Sequence, residues 1–174
     1  MLKNVLKTDI LHSNLNNLKL LFSKTCEIEI KNYQREKEGT NYNAALFDLG
    51  LTKAIFREAK ITPKKIGLFV TLWKRNKNGV TTPFHEKDNI DIIIIEVKKL
   101  GRIGHFIFSK SILVEKAIIS TTTTEGKRGF RIYPPWEIPS NKQATKSQLW
   151  QSRYFFEYKR MSEENNTYLR ELIH

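Results

Sequence analysis

One cysteine in 174 residues, Cys26, leaves no partner for an intramolecular disulfide and excludes Cys-rich zinc sites, so a reducing compartment is expected. Long apolar runs are also missing. The longest is Ile92 to Ile95, far too short to cross a bilayer, and the opening Met1–Lys7 lacks the apolar core and small-residue cleavage site of a leader. The expected location is the cytoplasm, with no membrane partner. No Gly-rich phosphate loop occurs, since Gly101 and Gly104 merely flank Arg102 and Ile103 around a turn. His12, His85, His105 and His174 are scattered without metal-ligand spacing, and Cys26 has no His near it in sequence, so neither a resident cofactor nor a thiol nucleophile is expected. The last scarcity is local. Between Glu58 and Glu86 there is no acidic residue, while Lys60, Lys64, Lys65, Lys74, Arg75 and Lys77 all fall inside that gap.

What is present fits one globular unit. Hydrophobic residues make up 40% and charged residues 28%, and 174 residues suffice to bury a single core without staples, so residues 1–174 are read as one domain. Thirty Lys and Arg against eighteen Asp and Glu give a net charge of +12, a balance that invites a polyanion.

Periodicity supplies the elements. From Asp9 to Phe22, Ile10, Leu11, Leu15, Leu18, Leu20, Leu21 and Phe22 recur at helical spacing, with Asp9 or Thr8 as cap, giving an N-terminal helix within residues 1–24 whose apolar stripe packs on the domain. Lys31–Asn43 reads as a loop, and Ala44–Leu49 with Lys53–Ala59 reads as a hairpin about Gly50. Leu68–Arg75, Ile90–Lys98, His105–Phe108 and Gly129–Tyr133 read as strands, with Ile90–Lys98 buried on both faces and therefore central. Ser111–Ala117 reads as a short helix, Asn141–Arg160 as a long one, and residues 161–174 as a tip that frays. Short turns between strands indicate an α+β fold: a mostly antiparallel sheet of five or six strands with N-terminal and C-terminal helices packed against it.

Several spaced blocks, Ala59–Arg75, Asp91 in its aliphatic strand, Gly104–Phe108, Gly126–Trp136 and Gln148–Gln151, resemble the MepB family. That bacterial family is named for a member encoded beside a multidrug efflux pump and its repressor. The resemblance runs from about Tyr42 to Tyr158. It brings no reaction with it, and an efflux pump as neighbour makes neither a transporter nor a drug binder of this chain.

Function is therefore read from residues. Lys60, Lys64, Lys65, Lys74, Arg75, Lys127, Arg128 and Arg131 are candidate phosphate contacts, and Trp73, Tyr133 and Trp136 candidate stacking platforms, although core packing competes for each of these aromatics. Arg131, set between Phe130 and Ile132, needs an anionic partner, and Asp91 is the expected internal one. The primary expectation is a nucleic-acid-binding protein, with DNA the expected polymer. A metal-dependent nuclease of restriction-endonuclease-like type is the enzyme alternative: Asp91, Glu96 and Lys98 suit carboxylates that hold a divalent metal and a lysine that assists water. On a regular strand, however, Asp91 points away from Glu96 and Lys98, which leaves Glu58 to supply an acid from the neighbouring hairpin. A small anionic-ligand or protein-interaction module is the third alternative, and the oligomeric state stays open.

Overall fold

The computed structural model describes residues 15–173. A helix over residues 15–26 (α1) leads into β1 (Ile30–Arg35), β2 (Ala45–Leu49) and β3 (Thr52–Glu58). Four short strands follow, β4 (Lys60–Thr62), β5 (Lys65–Thr71), β6 (Lys74–Arg75) and β7 (Thr81–Thr82). The chain then returns through β8 (Ile92–Lys99) and β9 (Arg102–Ser109), and continues as α2 (Lys110–Glu115), β10 (Gly129–Ile132), α3 (Lys142–Gln151), β11 (Phe155–Phe156) and α4 (Glu163–Ile173).

Six strands form the main sheet in the order β1-β2-β3-β8-β9-β11, with every pairing antiparallel except β3 with β8. A parallel pair needs a long crossover. Here that crossover is the segment carrying β4 to β7, so the basic stretch after Glu58 is laid on one face of the main sheet. Within it β4 and β5 join β10 as a second, antiparallel sheet, ordered β10-β5-β4.

The aliphatic run of β8 explains the two layers. Ile93, Ile95 and Val97 pack toward the second sheet, with Leu68, Val70, Phe130 and Ile132. Ile92 and Ile94 pack the other way, against Leu18, Leu21 and Phe22 of α1 and Leu169 and Ile173 of α4. A strand buried on both faces belongs at the centre of a sheet, as β8 is. Its hairpin with β9 closes at Leu100 and Gly101, whose φ values of 50° and 77° suit the primed two-residue turn.

Several sequence expectations are corrected. Residues 31–43 are not all loop: β1 pairs with β2 as an exposed edge strand, whose polar side chains leave no apolar alternation to read. The helix expected to reach Arg160 ends at Gln151, because Phe155 and Phe156 pair with Phe106 and His105 and add an edge strand to the main sheet. The expected frayed tip instead contains α4, which buries Leu169 and Ile173. In the N-terminal helix, Leu15, Leu18, Leu21 and Phe22 are buried as expected, but Leu20, placed in the same stripe, is 42% exposed because it falls on the helix's solvent side, two residues on from Leu18. Ile10, Leu11 and the Asp9 or Thr8 cap, like His12 and His174, lie outside the described residues.

Candidate functional site

Strand pairing assembles the basic face. In the β5–β10 ladder Phe69 lies opposite Arg131 and Thr71 opposite Gly129, so the antiparallel pair runs from Lys127 beyond one end to the turn bearing Lys64 and Lys65 beyond the other, with Arg131 between them. Leu68, Val70, Phe130 and Ile132 point into the core, so Phe69 and Arg131 point outward by strand alternation. There they line a cleft of about 890 Å³ whose opposite wall is α3 along its length, from Asn141 to Gln151. Five cations line it, Lys64, Lys65, Lys116, Lys127 and Arg131, and no carboxylate does. Among the described residues only Lys116 has an ion-pair partner, Glu115 at 2.7 Å. The α3 N-terminus adds to this field, since its first turn carries no acid and Asn141 caps it by accepting the Ala144 N–H at 2.9 Å.

Arg131 is held by neutral oxygens rather than by an acid. Its guanidinium donates to Thr62 Oγ1 at 2.7 Å and to the Gly67 carbonyl at 3.1 Å, bracing the turn that presents Lys64 and Lys65. The expected pairing with Asp91 is therefore wrong. Asp91 is exposed at the start of β8, where its carboxylate accepts the Lys53 N–H at 2.7 Å and ties β8 to β3. The backbone of β10 is fastened to α3 by the buried Gln151, whose amide donates to the Arg131 carbonyl at 2.9 Å and accepts the Tyr133 N–H at 2.8 Å. Sequence reading missed this clamp, and missed Phe69, Lys116 and Trp150 as cleft residues. No local signal marked the clamp, since the inward side of α3 carries Ala144, Gln148 and Gln151 and so shows no apolar stripe.

Of the predicted binding residues, Lys64, Lys65, Lys127, Arg131 and Tyr133 meet in the cleft. The others lie elsewhere. Lys60 pairs with Glu58 at 2.6 Å and Lys74 with Asp88. Arg75 pairs with Glu38 at 2.6 Å while its guanidinium sits 5.6 Å from the Trp73 ring. Arg128 reaches Glu125 at 3.4 Å and the Thr81 carbonyl at 3.0 Å. Trp136 packs edge-on against Phe155 at 5.2 Å beneath the Arg102 guanidinium.

A second polar constellation lies on the opposite face of the main sheet, the face covered by α1 and α4. Register places Glu58 beside Glu96 across the parallel pair, and Glu96 beside His105 across the antiparallel one. Lys98 Nζ spans both acids, 2.6 Å from Glu96 and 3.5 Å from Glu58. His105 Nε2 lies 3.1 Å from the other Glu96 oxygen. Burial works against ionised Glu58, yet hydrogen bonds from Lys60 and Asn43 and the nearby Lys98 ammonium hold its carboxyl below the usual carboxylate range. Burial likewise opposes the charge on Lys98, but its contacts to Glu96 and Glu58 outweigh it and raise the ammonium's pKa. Of the nuclease candidates, then, Glu58, Glu96 and Lys98 converge and Asp91 does not. Among the described residues no three His, Cys, Asp or Glu side chains are grouped as a metal centre. The buried thiol of Cys26 is pushed up in pKa by burial, against a smaller opposing effect of Arg170.

The model of the MepB-like family matches residues 36–157. The crystal structure of MepB is similar to this chain with a TM-score of 0.74 and 35% sequence identity, over 83% of this chain and 95% of MepB. No curated protein matches the chain. The chain belongs to the MepB-like family.

Proposed function

We propose that this member of the MepB-like family binds nucleic acid, with DNA as the expected polymer, through the cleft between the second sheet and α3. The observation that carries the reading is the carboxylate-free lining, with Lys64, Lys65, Lys127 and Arg131 free of acidic partners among the described residues. Four such cations beside a helix N-terminus are suited to phosphates, and Arg131 is already oriented by its bonds to Thr62 and Gly67. No helix of the described residues is long and apolar enough to cross a membrane, and the lone cysteine suits a cytoplasmic location, where nucleic acid is at hand.

Equilibrium binding across a salt series tests it. Four phosphate contacts give a slope of log affinity against log salt of about −3 to −4, at about 0.7–0.9 per contact. A flat response would remove the reading and leave a small anionic ligand or a protein partner.

A metal-dependent nuclease is the second reading, favoured by the convergence of Glu58, Glu96 and Lys98. Against turnover stands the position of these acids on the face of the main sheet turned away from the cleft. Incubating labelled DNA with manganese decides between the two: strand cleavage that Glu96→Gln abolishes without unfolding the protein would make the enzyme reading primary.

A further inference from the structure

We infer that the cleft takes an unpaired strand, about one or two nucleotides at a time, in preference to a double helix; this rests on the nucleic-acid reading above. Its lining joins two chemistries. Cations line it at Lys64, Lys127 and Arg131, and two partly exposed aromatic rings accompany them, Phe69 on the sheet side and Trp150 on α3, with the largely buried Tyr133 beneath. A duplex turns its phosphates outward and stacks its bases on one another, so it would satisfy the cations and leave the rings unused. An unpaired strand presents phosphates and base faces together.

The rings are held as fixed surfaces. A Cβ added at Gly129 would come within 2.7 Å of the Phe69 ring, and one at Gly67 within 2.6 Å of the Tyr133 ring, so each aromatic is packed close over the bare backbone of the neighbouring strand. Trp150 is braced by Phe108, with ring centroids 5.3 Å apart. Side chains already immobilised lose little entropy when a base stacks on them. Volume agrees, since about 890 Å³ falls within the roughly 300–1,000 Å³ of clefts that enclose one small organic ligand.

The nucleotide unit could arrive as part of a strand or free, and the test separates these sources. Fluorescence anisotropy at fixed salt compares a thymidine oligonucleotide of about twelve residues, an abasic strand of equal length, a blunt duplex, and AMP as competitor. The oligonucleotide is expected to bind at least about tenfold more tightly than either the duplex or the abasic strand, because the latter two offer phosphates without accessible bases. AMP is expected to compete only at about a hundredfold higher concentration. Trp150→Leu, and independently Phe69→Leu, should weaken oligonucleotide binding by about fivefold or more while leaving the abasic strand unchanged, a pattern that partial unfolding would not produce. Equal or tighter binding of the duplex would overturn the inference and leave the nucleic-acid reading standing. AMP competing as well as the oligonucleotide would overturn it in favour of a free nucleotide. No salt-sensitive binding of any polymer would end both.

Discussion

The two faces of the main sheet treat charge in opposite ways. On one side Glu58, Glu96, Lys98 and His105 form a closed network in which every charge has a counterpart, and Glu96 is only 1% exposed. On the other, beyond the second sheet, Lys64, Lys65 and Lys127 stand exposed with no acid lining their cleft. Matched charge in a core is structural capital that few perturbations can reach, whereas unmatched charge in a cleft waits for a ligand. A net charge of +12 says nothing of this division. Pairing does, and the comparison can be broken at either face.

The largest effect is expected at the closed face. Glu96→Ala removes the partner of His105 and the nearer of the two acids that hold Lys98, leaving Glu58 at 3.5 Å, and breaking a buried pair costs about 3–5 kcal/mol. Lys98 is 34% exposed and can recover part of its hydration, so the low end, about 3 kcal/mol, is expected. In a chain of this size that lowers the melting temperature by about 6–12 °C. Binding of oligonucleotide by the folded fraction should not change, and a calorimetric scan beside an anisotropy titration reads both.

At the open face the outcome reverses. Changing Lys64 and Lys65 together to Gln should flatten the salt slope by about 1.4–1.8, which is on the order of fivefold in affinity per contact at 0.1 M salt. Stability should stay within about 0.5 kcal/mol, since both side chains are exposed and neither has an ion-pair partner among the described residues. A drop in melting temperature comparable to that of Glu96→Ala would erase the distinction between the faces.

The pH response sharpens the closed face further. Because the Glu58 carboxyl is held low in the folded protein, its contribution is complete above the unfolded value of about 4.3 and is lost as pH falls through the folded value. Acid titration of the melting temperature should therefore show a fall beginning near pH 4. Lys98→Met withdraws one of the groups that hold Glu58 low, so it should shrink that fall. A variant and wild type with parallel acid limbs would show that Lys98 and Glu58 are not coupled.

These two faces were unequally legible in the sequence. The four consecutive isoleucines identify β8 as central because a strand buried on both sides leaves no polar alternation, and that reading needs only local information. Edge strands carry no such mark: β1 is polar nearly throughout and β11 is an aromatic pair at the end of a helical pattern. The cleft was half legible, since the Lys64–Lys65 turn and the Lys127–Arg131 segment stand out by composition, while their union depends on the β5–β10 register. Asp91 was misassigned as the partner of Arg131, a long-range contact that spacing does not encode, since Arg131 is held by Thr62 and Gly67 instead. Alternation along the strand did turn Asp91 away from Glu96 and point to Glu58, and the parallel β3–β8 pairing sets Glu58 beside Glu96.

The smallest effects are expected where composition alone misleads most. Lys74 and Arg75 belong to the same acid-free stretch of sequence as Lys64 and Lys65, yet each finds a carboxylate from outside it, Asp88 fourteen residues on and Glu38 thirty-seven residues back. Arg75 also donates to the Gly79 carbonyl at 2.6 Å, so its guanidinium is engaged on three acceptor atoms before any ligand arrives. A phosphate competing for it must displace these bonds, and the net gain is small. Arg75→Gln should therefore weaken oligonucleotide binding by less than about twofold, through the loss of long-range attraction alone. Its cost in stability should stay below about 1 kcal/mol, the range of an exposed ion pair. Lys74→Gln should behave alike. If either change instead weakened binding as much as a substitution at Lys64, the interface would have to extend along β5 and β6 past the cleft, and the ion pairs to Asp88 and Glu38 would be contacts that the ligand replaces.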